Sequence, residues 1–103
     1  MPIAKTRYRF TPRMVEGAPD DVGVYALWRN DELLYIGRAI GGSVTIQSRL
    51  LEHLSGASCS CSREATHYSW EIAMQPAARE RELLQEHRSA AGQIPPCNRH
   101  AAS

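Results

Sequence analysis

Two short apolar runs, residues 24–28 and 33–36, stand out from the polar sequence around them. Each run is aliphatic and aromatic, carries one tyrosine and is bounded by a glycine. The polar residues 29–31 lie between the runs and include asparagine and aspartate, which favour turns. The pattern therefore predicts a β-hairpin over residues 23–37.

The length of the hairpin loop decides where the two tyrosines point. Residues directly opposite each other in an antiparallel pair share one face of the sheet. A three-residue loop over 29–31 places Tyr25 opposite Tyr35, whereas a two-residue loop over 30–31 places Tyr25 opposite Ile36 and separates the phenols. We favour the three-residue loop and expect both phenols on one face.

The pattern of the remaining chain predicts two helices and one further long strand. Ile46, Leu50 and Leu54 recur at four-residue spacing, and Gly56 and Gly92 are placed to end helices. The predicted elements are a short strand over 8–10, a loop over 11–21, a helix over 45–54, a polar loop over 57–64, a strand over 66–74, a helix over 77–91 with Pro76 in its first turn, and an extended segment over 94–96. This order predicts a small α+β fold, in which a three-stranded antiparallel sheet (β-β-α-β-α) is covered by helices.

Composition adds limits to this picture. With 103 residues, 43% hydrophobic and 22% charged, the chain has room for one domain with a small core. No apolar run approaches the roughly 20 residues that a membrane span needs, and the N-terminus lacks the apolar core of a signal peptide. We therefore expect a cytoplasmic protein with no membrane partner.

Positive charge is concentrated near the N-terminus although the net charge is only +1. Lys5, Arg7, Arg9 and Arg13 lie in the first fifteen residues with no acidic residue before Arg13. Residues 1–18 are either an arm that attracts phosphate or an edge strand with a solvated terminus.

The three cysteines do not form an obvious framework. An odd number, Cys59, Cys61 and Cys97, argues against full pairing. One residue between the first two is too few for the usual zinc-ligand spacing, although a zinc site with His53 or His67 is a minor alternative. We expect free thiols in a serine-rich loop.

Several residues with chemical potential occur in a recognisable order. Gly23-Val24-Tyr25 and Tyr35-Ile36-Gly37 have nine residues between the tyrosines. They are followed by Arg38 directly after the second tripeptide, by Arg49 and His53 one turn apart on the first long helix, by Glu80 on the second, and by Asn98 after two prolines. Over residues 19–98 this combination resembles the GIY-YIG nuclease superfamily, and residues 99–103 form a C-terminal tail beyond it.

The resemblance implies an endonuclease that hydrolyses phosphodiester bonds in DNA, branched or single-stranded forms included, as a monomer or homodimer. It implies one divalent cation, Mg²⁺ or Mn²⁺, bound by Glu80. It also implies that the catalytic set is Tyr25, Tyr35, Arg49, His53, Glu80 and Asn98, with Arg38 and Arg49 binding the substrate phosphate.

Elementary chemistry is compatible with these roles. A tyrosine with its ordinary pKa near 10 needs cationic neighbours, such as Arg38 and Arg49, to act as a base near neutrality. The Arg49 guanidinium suits two phosphate oxygens, and His53 can orient a tyrosine or transfer a proton. One glutamate can hold a hard divalent cation whose shell is completed by water.

The second long helix carries three glutamates that a helical wheel separates. At about 100° per residue, Glu80 lies at the centre of an apolar stripe, Glu82 on the solvent face and Glu86 at the edge. The stripe is formed by Ala77, Leu83, Leu84, Ala90 and Ala91. A carboxylate on the packed side is costly unless it is paired or bound to a metal, so Glu80 is either a metal ligand or the partner of a cation such as Arg49.

Two other functional classes stay open. The fold could serve as a non-catalytic nucleic-acid-binding module, or as a protein-interaction domain with no nucleic-acid partner. Each residue taken alone also has a structural explanation, since tyrosine favours strands and asparagine favours turns. The joint occurrence of the whole set favours the nuclease.

Overall fold

A computed structural model of the protein describes residues 6–56 and 60–100. Its strands are β1 (Tyr8–Arg9), β2 (Gly23–Arg29), β3 (Glu32–Ala39) and β4 (His67–Ile72), and its helices are α1 (Pro12–Val15), α2 (Ile46–Ser55), α3 (Pro76–Ala91) and α4 (Pro96–His100), with a 3-10 helix at Ser60–Glu64. The predicted α+β class with an antiparallel sheet and covering helices is confirmed.

The sheet has four strands rather than the predicted three, in the order β1-β4-β2-β3. The extra strand is β1, in which Tyr8 pairs with Tyr68 and Arg9 with His67. The sequence predicts a short strand over 8–10 but not its place in the sheet, which depends on tertiary contacts, since the Tyr8 and Tyr68 ring centroids lie 5.5 Å apart. Of the two interpretations of the N-terminal segment, Tyr8–Arg9 forms the edge strand.

The hairpin loop has two residues, so the predicted three-residue loop is wrong. Arg29 pairs with Glu32, which leaves Asn30 and Asp31 in the turn. Asn30 has a φ of +55°, a left-handed conformation that asparagine tolerates better than most residues.

A β-bulge nevertheless brings the tyrosines to one face. Trp28 pairs with Leu33, but Leu27 pairs with Tyr35, so Leu34 is an extra residue in β3. One extra residue reverses the alternation of side chains beyond it. Tyr25 and Tyr35 therefore share a face, as expected, although the bulge and not the loop length is the reason.

Each face of the sheet has its own apolar cluster. One face, with both tyrosines, packs against α1, α2, α4 and the 3-10 helix, and its buried residues include Val15, Leu27, Leu34, Ile46, Leu50, Tyr68 and Cys97. The other face packs against α3, and its buried residues are Val24, Ala26, Trp28, Leu33, Ile36 and Leu83. Within the described ranges, no helix is both long and apolar enough to cross a membrane.

The two long helices begin and end close to where the sequence predicts. The Thr45 side chain caps α2 by accepting a hydrogen bond from Ser48 N, and Gly56 ends the helix with a φ of +79°. Pro76 opens α3, and Gly92 ends it with a φ of +86°. These caps fix the phase of α2, and thereby the direction of its polar side chains.

The segments predicted as loops contain short helices. α1 lies within residues 11–21 and the 3-10 helix within 57–64, of which residues 57–59 lie outside the described ranges. β4 is shorter than the predicted strand over 66–74. α4 follows Pro95 and includes Asn98, and residues 101–103 of the predicted tail lie outside the described ranges.

A disulfide joins Cys61 in the 3-10 helix to Cys97 in α4. The expectation of free thiols is therefore wrong for Cys61, and Cys59 lies outside the described residues. The two cysteines are 36 positions apart, and such pairing cannot be deduced from spacing alone. Cys97 is fully buried in the same apolar cluster as the tyrosines.

Candidate active site

The centre of the site is a pair of phenols separated by a glycine. The ring centroids of Tyr25 and Tyr35 lie 6.0 Å apart, and Gly37 pairs with Tyr25 across the strands. A Cβ on Gly37 would lie 2.5 Å from both Cζ and Oη of Tyr25 and 2.7 Å from Cε2 of Tyr35. Glycine is thus favoured sterically at position 37, because any side chain there would occupy the space of the two rings.

The imidazole of His53 lies close to both rings and is inclined to each of them. Its centroid is 5.6 Å from that of Tyr25 and 5.1 Å from that of Tyr35. Nε2 of His53 is 2.9 Å from the Tyr25 hydroxyl, and Nδ1 is 3.0 Å from Oγ of Ser62. A neutral imidazole has one donor and one acceptor nitrogen, so both ring nitrogens are satisfied.

Sequence reasoning missed Ser62. It lies in a serine-rich segment predicted as surface loop, yet the residue is fully buried. Nothing in its sequence neighbourhood distinguishes it from its exposed neighbours, because its burial follows from the packing of the 3-10 helix against α2 and α4.

Arg49 lies one helical turn before His53 and faces the phenols. The guanidinium is within electrostatic reach of both phenol oxygens, and its Nη1 donates to Glu52 at 2.9 Å. Nε of Arg49 is buried and has no hydrogen-bond partner among the described residues.

Accessibility divides the four residues into an inner and an outer pair. Tyr25 and His53 are 0% and 1% exposed, and Tyr35 is 8% exposed. The Arg49 side chain is 31% exposed. Any ligand arriving from solvent would therefore meet Arg49 and the edge of Tyr35 first.

Burial is the largest influence on the pKa values of the two phenols. It raises the pKa of Tyr25, followed by the neighbouring Tyr35, and Arg49 lowers that pKa by a smaller amount. Burial likewise raises the pKa of Tyr35, against the lowering effect of Arg49. The expected stabilisation of phenolate by cations is thus present in the case of Arg49, but it is outweighed.

The imidazole is correspondingly held neutral. Burial, followed by the charge of Arg49, lowers the pKa of His53 to about 4. At neutral pH the group close to the phenols is therefore an uncharged imidazole that can still accept a proton.

Arg38 and Glu80 form a pair with each other on the α3 side of the sheet. Nη1 of Arg38 donates to Oε1 of Glu80 at 2.8 Å. Arg38 pairs across the strands with Val24, whose side chain packs in the α3 cluster. The structural partner of Glu80 is thus Arg38 and not Arg49, yet Glu80 lies close enough to Tyr35 for its charge to contribute to the raised pKa of that phenol, after burial.

The three glutamates of α3 are ordered as the helical wheel predicts. The Glu80 side chain is 17% exposed, whereas Glu82 and Glu86 are exposed, and Glu82 pairs with Arg79 at 3.1 Å. The centre of the stripe is Leu83 and not Glu80, since Leu83 is the buried residue of this helix. The alanines placed in the stripe, Ala77, Ala90 and Ala91, are exposed.

Asn98 binds the backbone of β3, the strand at one edge of the sheet. Its Nδ2 donates to the Ile36 carbonyl and its Oδ1 accepts from the Ile36 N–H, both at 2.9 Å. Because β3 is the last strand of the sheet, this amide pairs with the open edge as another strand would. Asn98 thereby fixes the residue between Tyr35 and Gly37.

Residues 1–90 match a family described as a domain of unknown function, DUF7508. The chain belongs to the DUF7508 family. The match includes the tyrosines, α2 and Glu80, and ends before Cys97 and Asn98. No curated protein and no solved structure matches the chain.

The N-terminal cations of this DUF7508 domain lie in different surroundings. The Arg7 guanidinium is 4.0 Å from the Trp28 ring centroid and binds Asp31 at 3.0 Å, so it is engaged at the hairpin. Arg9 and Arg13 are exposed. Lys5 lies outside the described residues.

A divalent cation is compatible with Glu80. Mg²⁺ is commonly held by one or two carboxylates, with water and substrate phosphates completing its shell. In the described part of the DUF7508 chain, no three His, Cys, Asp or Glu side chains are grouped to hold a metal. A cation held by Glu80 would have this one carboxylate as its protein ligand and would compete with Arg38 for Oε1.

Proposed function

We propose that this DUF7508 chain is a small endonuclease of the GIY-YIG type, which hydrolyses phosphodiester bonds in DNA with one divalent cation, Mg²⁺ or Mn²⁺. The observation that carries the proposal is the convergence of Tyr25, Tyr35, Arg49 and His53 at one place. They come from β2, β3 and α2, and a purely structural core would have no need of a guanidinium and an imidazole against two phenols.

Phosphate recognition is assigned to Arg49. Its guanidinium is the most accessible group of the four, and its fork matches two phosphate oxygens. An incoming phosphate would supply acceptor oxygens at the guanidinium and would bring the scissile bond to the Tyr35 hydroxyl. Stabilising the charge that develops on the phosphoryl group is the larger part of such catalysis.

Activation of water is assigned to Tyr35, with Tyr25 and His53 behind it. Because the phenol pKa values are raised, a free phenolate is not the resting state, and the Tyr35 proton needs an acceptor. During the attack the Tyr35 proton moves to the Tyr25 oxygen and the Tyr25 proton to Nε2 of His53, 2.9 Å away. Because the pKa of His53 is lowered to about 4, the imidazolium formed in this way is transient and is not part of the resting state. The Tyr35 oxygen, now stabilised by Arg49 and by a hydrogen bond from Tyr25, then takes the proton of the attacking water.

Glu80 is assigned to the cation. When bound, the cation neutralises charge on the phosphate and assists departure of the leaving oxygen. With a cation on Glu80, Arg38 would lose its present partner and would be available to a second phosphate of the DNA. Substrate binding and cation binding therefore favour each other, because each removes one partner of the same ion pair.

DNA in duplex, branched or single-stranded form is the proposed partner, and the cytoplasm is the proposed compartment. The proposed state is a monomer or homodimer. One site cuts one strand at a time, so the reaction of a monomer is a nick.

A non-catalytic nucleic-acid-binding module is the second candidate. It is favoured by the raised pKa of both phenols and by the engagement of Glu80 with Arg38, since both would also be expected of a site that only binds. Such a module would keep salt-sensitive DNA binding and lack turnover.

The experiment is a cleavage assay of the purified chain on supercoiled plasmid, a branched duplex and a single-stranded oligonucleotide. Each is incubated with Mg²⁺, with Mn²⁺ and with EDTA. Turnover on at least one substrate that EDTA abolishes supports the nuclease. Salt-sensitive binding without turnover on any of them selects the binding module instead.

A further inference from the structure

Each cysteine of the disulfide is the chain neighbour of a residue that supports the tyrosine pair. Cys61 precedes Ser62, whose Oγ lies 3.0 Å from Nδ1 of His53. Cys97 precedes Asn98, whose amide makes two hydrogen bonds to the backbone of Ile36. The bond therefore joins the segment beneath the site to the segment beside it.

Tyr25 and Ser62 together favour one neutral tautomer of His53. Arg49 beside the Tyr25 oxygen is a donor only, so the hydroxyl proton of Tyr25 is directed to an acceptor, and Nε2 of His53 is at 2.9 Å. Nδ1 then carries the ring proton and donates it to Oγ of Ser62. Loss of the Ser62 hydroxyl would leave the proton on Nδ1 buried without this acceptor, which disfavours that tautomer relative to the other one, in which Nε2 donates to the Tyr25 oxygen.

Asn98 determines the position of β3 at the site. β3 is an edge strand, so one of its sides has no neighbouring strand. On that side, away from β2, the amide of Asn98 hydrogen-bonds the backbone N–H and carbonyl of Ile36. Tyr35 and Gly37 flank Ile36, so a shift of this backbone moves the Tyr35 phenol relative to Tyr25. A displacement of about 1 Å in a catalytic group can cost on the order of 100-fold in rate.

The two helices that carry Ser62 and Asn98 are too short to be stable in isolation. The 3-10 helix and α4 each have five residues, well below the length at which an isolated helix is stable. They pack on each other, and the disulfide is the covalent link between them. Cys97 is buried but Cys61 is only partly buried, so a thiol can attack the bond from the Cys61 side.

We infer that Ser62 and Asn98 are positioning residues of the tyrosine site, and that the Cys61–Cys97 disulfide couples them, so that its reduction disorganises the site reversibly. A dithiol reductant supplies two electrons and two protons. The S–S bond breaks, two cysteine thiols form, and the reductant becomes its own disulfide. Disulfides in reducing compartments are usually transient or redox-sensing, so a cytoplasmic location favours this role.

The test that does not depend on nuclease activity is NMR of the imidazole nitrogens of His53. The oxidised protein is expected to show one neutral tautomer with the proton on Nδ1. Dithiothreitol, or the double substitution Cys61→Ser with Cys97→Ser, is expected to give a mixture of tautomers, as is Ser62→Ala, whereas Ser62→Thr restores the single tautomer.

Matched controls separate this effect from general loosening. Ser69→Ala removes the buried hydroxyl that binds Trp28 on the other face, and its His53 spectrum should match that of the parent protein. Cys59→Ser should keep the response to dithiothreitol. Far-ultraviolet circular dichroism identifies any variant that does not fold. If a variant does not fold, the His53 spectra of the oxidised and the reduced wild-type protein decide the question.

The rate comparison rests on the proposed function. Reduction is expected to lower kcat for DNA nicking about 100-fold with little change in KM, and reoxidation to restore it. If no DNA is cut by the oxidised protein, the proposed function fails while the NMR comparison still decides the inference. An unchanged His53 spectrum on reduction overturns the inference, whatever the activity.

Discussion

The Tyr25 hydroxyl and Nε2 of His53 lie 2.9 Å apart although 28 positions separate the residues in the chain. The two groups satisfy each other in an otherwise apolar cluster, where an unpaired polar atom would be costly. The same contact gives the phenol a proton acceptor that is neutral at physiological pH. It thus serves both the folding of the site and its proposed chemistry.

Burial of neutral His53 predicts that stability falls in mild acid. The lowered pKa of about 4 lies below the ordinary value of 6.5, so between these pH values the unfolded chain binds a proton that the folded chain does not. The contribution is complete above pH 6.5 and is lost as the pH falls towards 4, by about 3 kcal/mol in all. Urea melts at several pH values should show this slope in the parent and in His87→Gln, and a flatter one in His53→Gln.

Gly37→Ala is expected to destabilise the fold by roughly 1–3 kcal/mol, because the new methyl group would overlap both phenol rings. Gly17→Ala is the matched control, since the nearest atom to its Cβ is at 3.5 Å and the change should stay below about 1 kcal/mol. Thermal melting of the two variants tests this. Equal melting temperatures would show that the rings do not need the space at Gly37.

The outline of this fold could be predicted because its main signals are local. Apolar periodicity indicated α2 and α3, and Gly56 and Gly92 marked their ends. The features that were mispredicted depend on distant parts of the chain. The short strand predicted over 8–10 becomes the fourth strand of the sheet because β4 offers an edge, and the Cys61–Cys97 pairing depends on where two short helices meet.

The features of the site also divide into those that the sequence predicts and those that depend on distant parts of the chain. The residue types and their order predicted that Tyr25, Tyr35, Arg49 and His53 would meet, and the structure brings them together. The bulge at Leu34 has no sequence signal, and it alone compensates for the mispredicted loop. The raised pKa of Tyr25 could not be predicted from the sequence either, because its largest cause is burial, which depends on how distant parts of the chain pack.

The two phenols are expected to differ in their structural importance. Tyr25→Phe leaves Nε2 of His53 buried without its partner and should cost about 1–3 kcal/mol, whereas Tyr35→Phe at the edge of the site should cost less than about 1 kcal/mol. Both should lose most of the nicking activity. Parallel denaturation and cleavage measurements check this, and a stable, fully active Tyr35→Phe would remove Tyr35 from the mechanism.

Glu80→Gln is expected to abolish cation-dependent cleavage while keeping the fold and DNA binding, and Glu82→Gln to be nearly silent. Arg38→Ala should bind Mn²⁺ more tightly than the parent in the absence of DNA, because its guanidinium no longer occupies Oε1 of Glu80. Water-proton relaxation by Mn²⁺ measures this binding without any substrate. Full activity of Glu80→Gln, or loss of activity in Glu82→Gln alone, would place the cation elsewhere.

The most direct measurement is the initial rate of Mg²⁺-dependent nicking of supercoiled plasmid by the parent protein and by Arg49→Ala, with DNA affinity measured on the same preparations. Arg81→Ala, on the exposed side of α3, is the matched control. We predict that Arg49→Ala abolishes nicking and weakens DNA binding only modestly, because one phosphate contact is a small share of a salt-dependent interface. Nicking by Arg49→Ala at the rate of the parent protein, or no cation-dependent nicking by the parent at all, would contradict the proposed nuclease site.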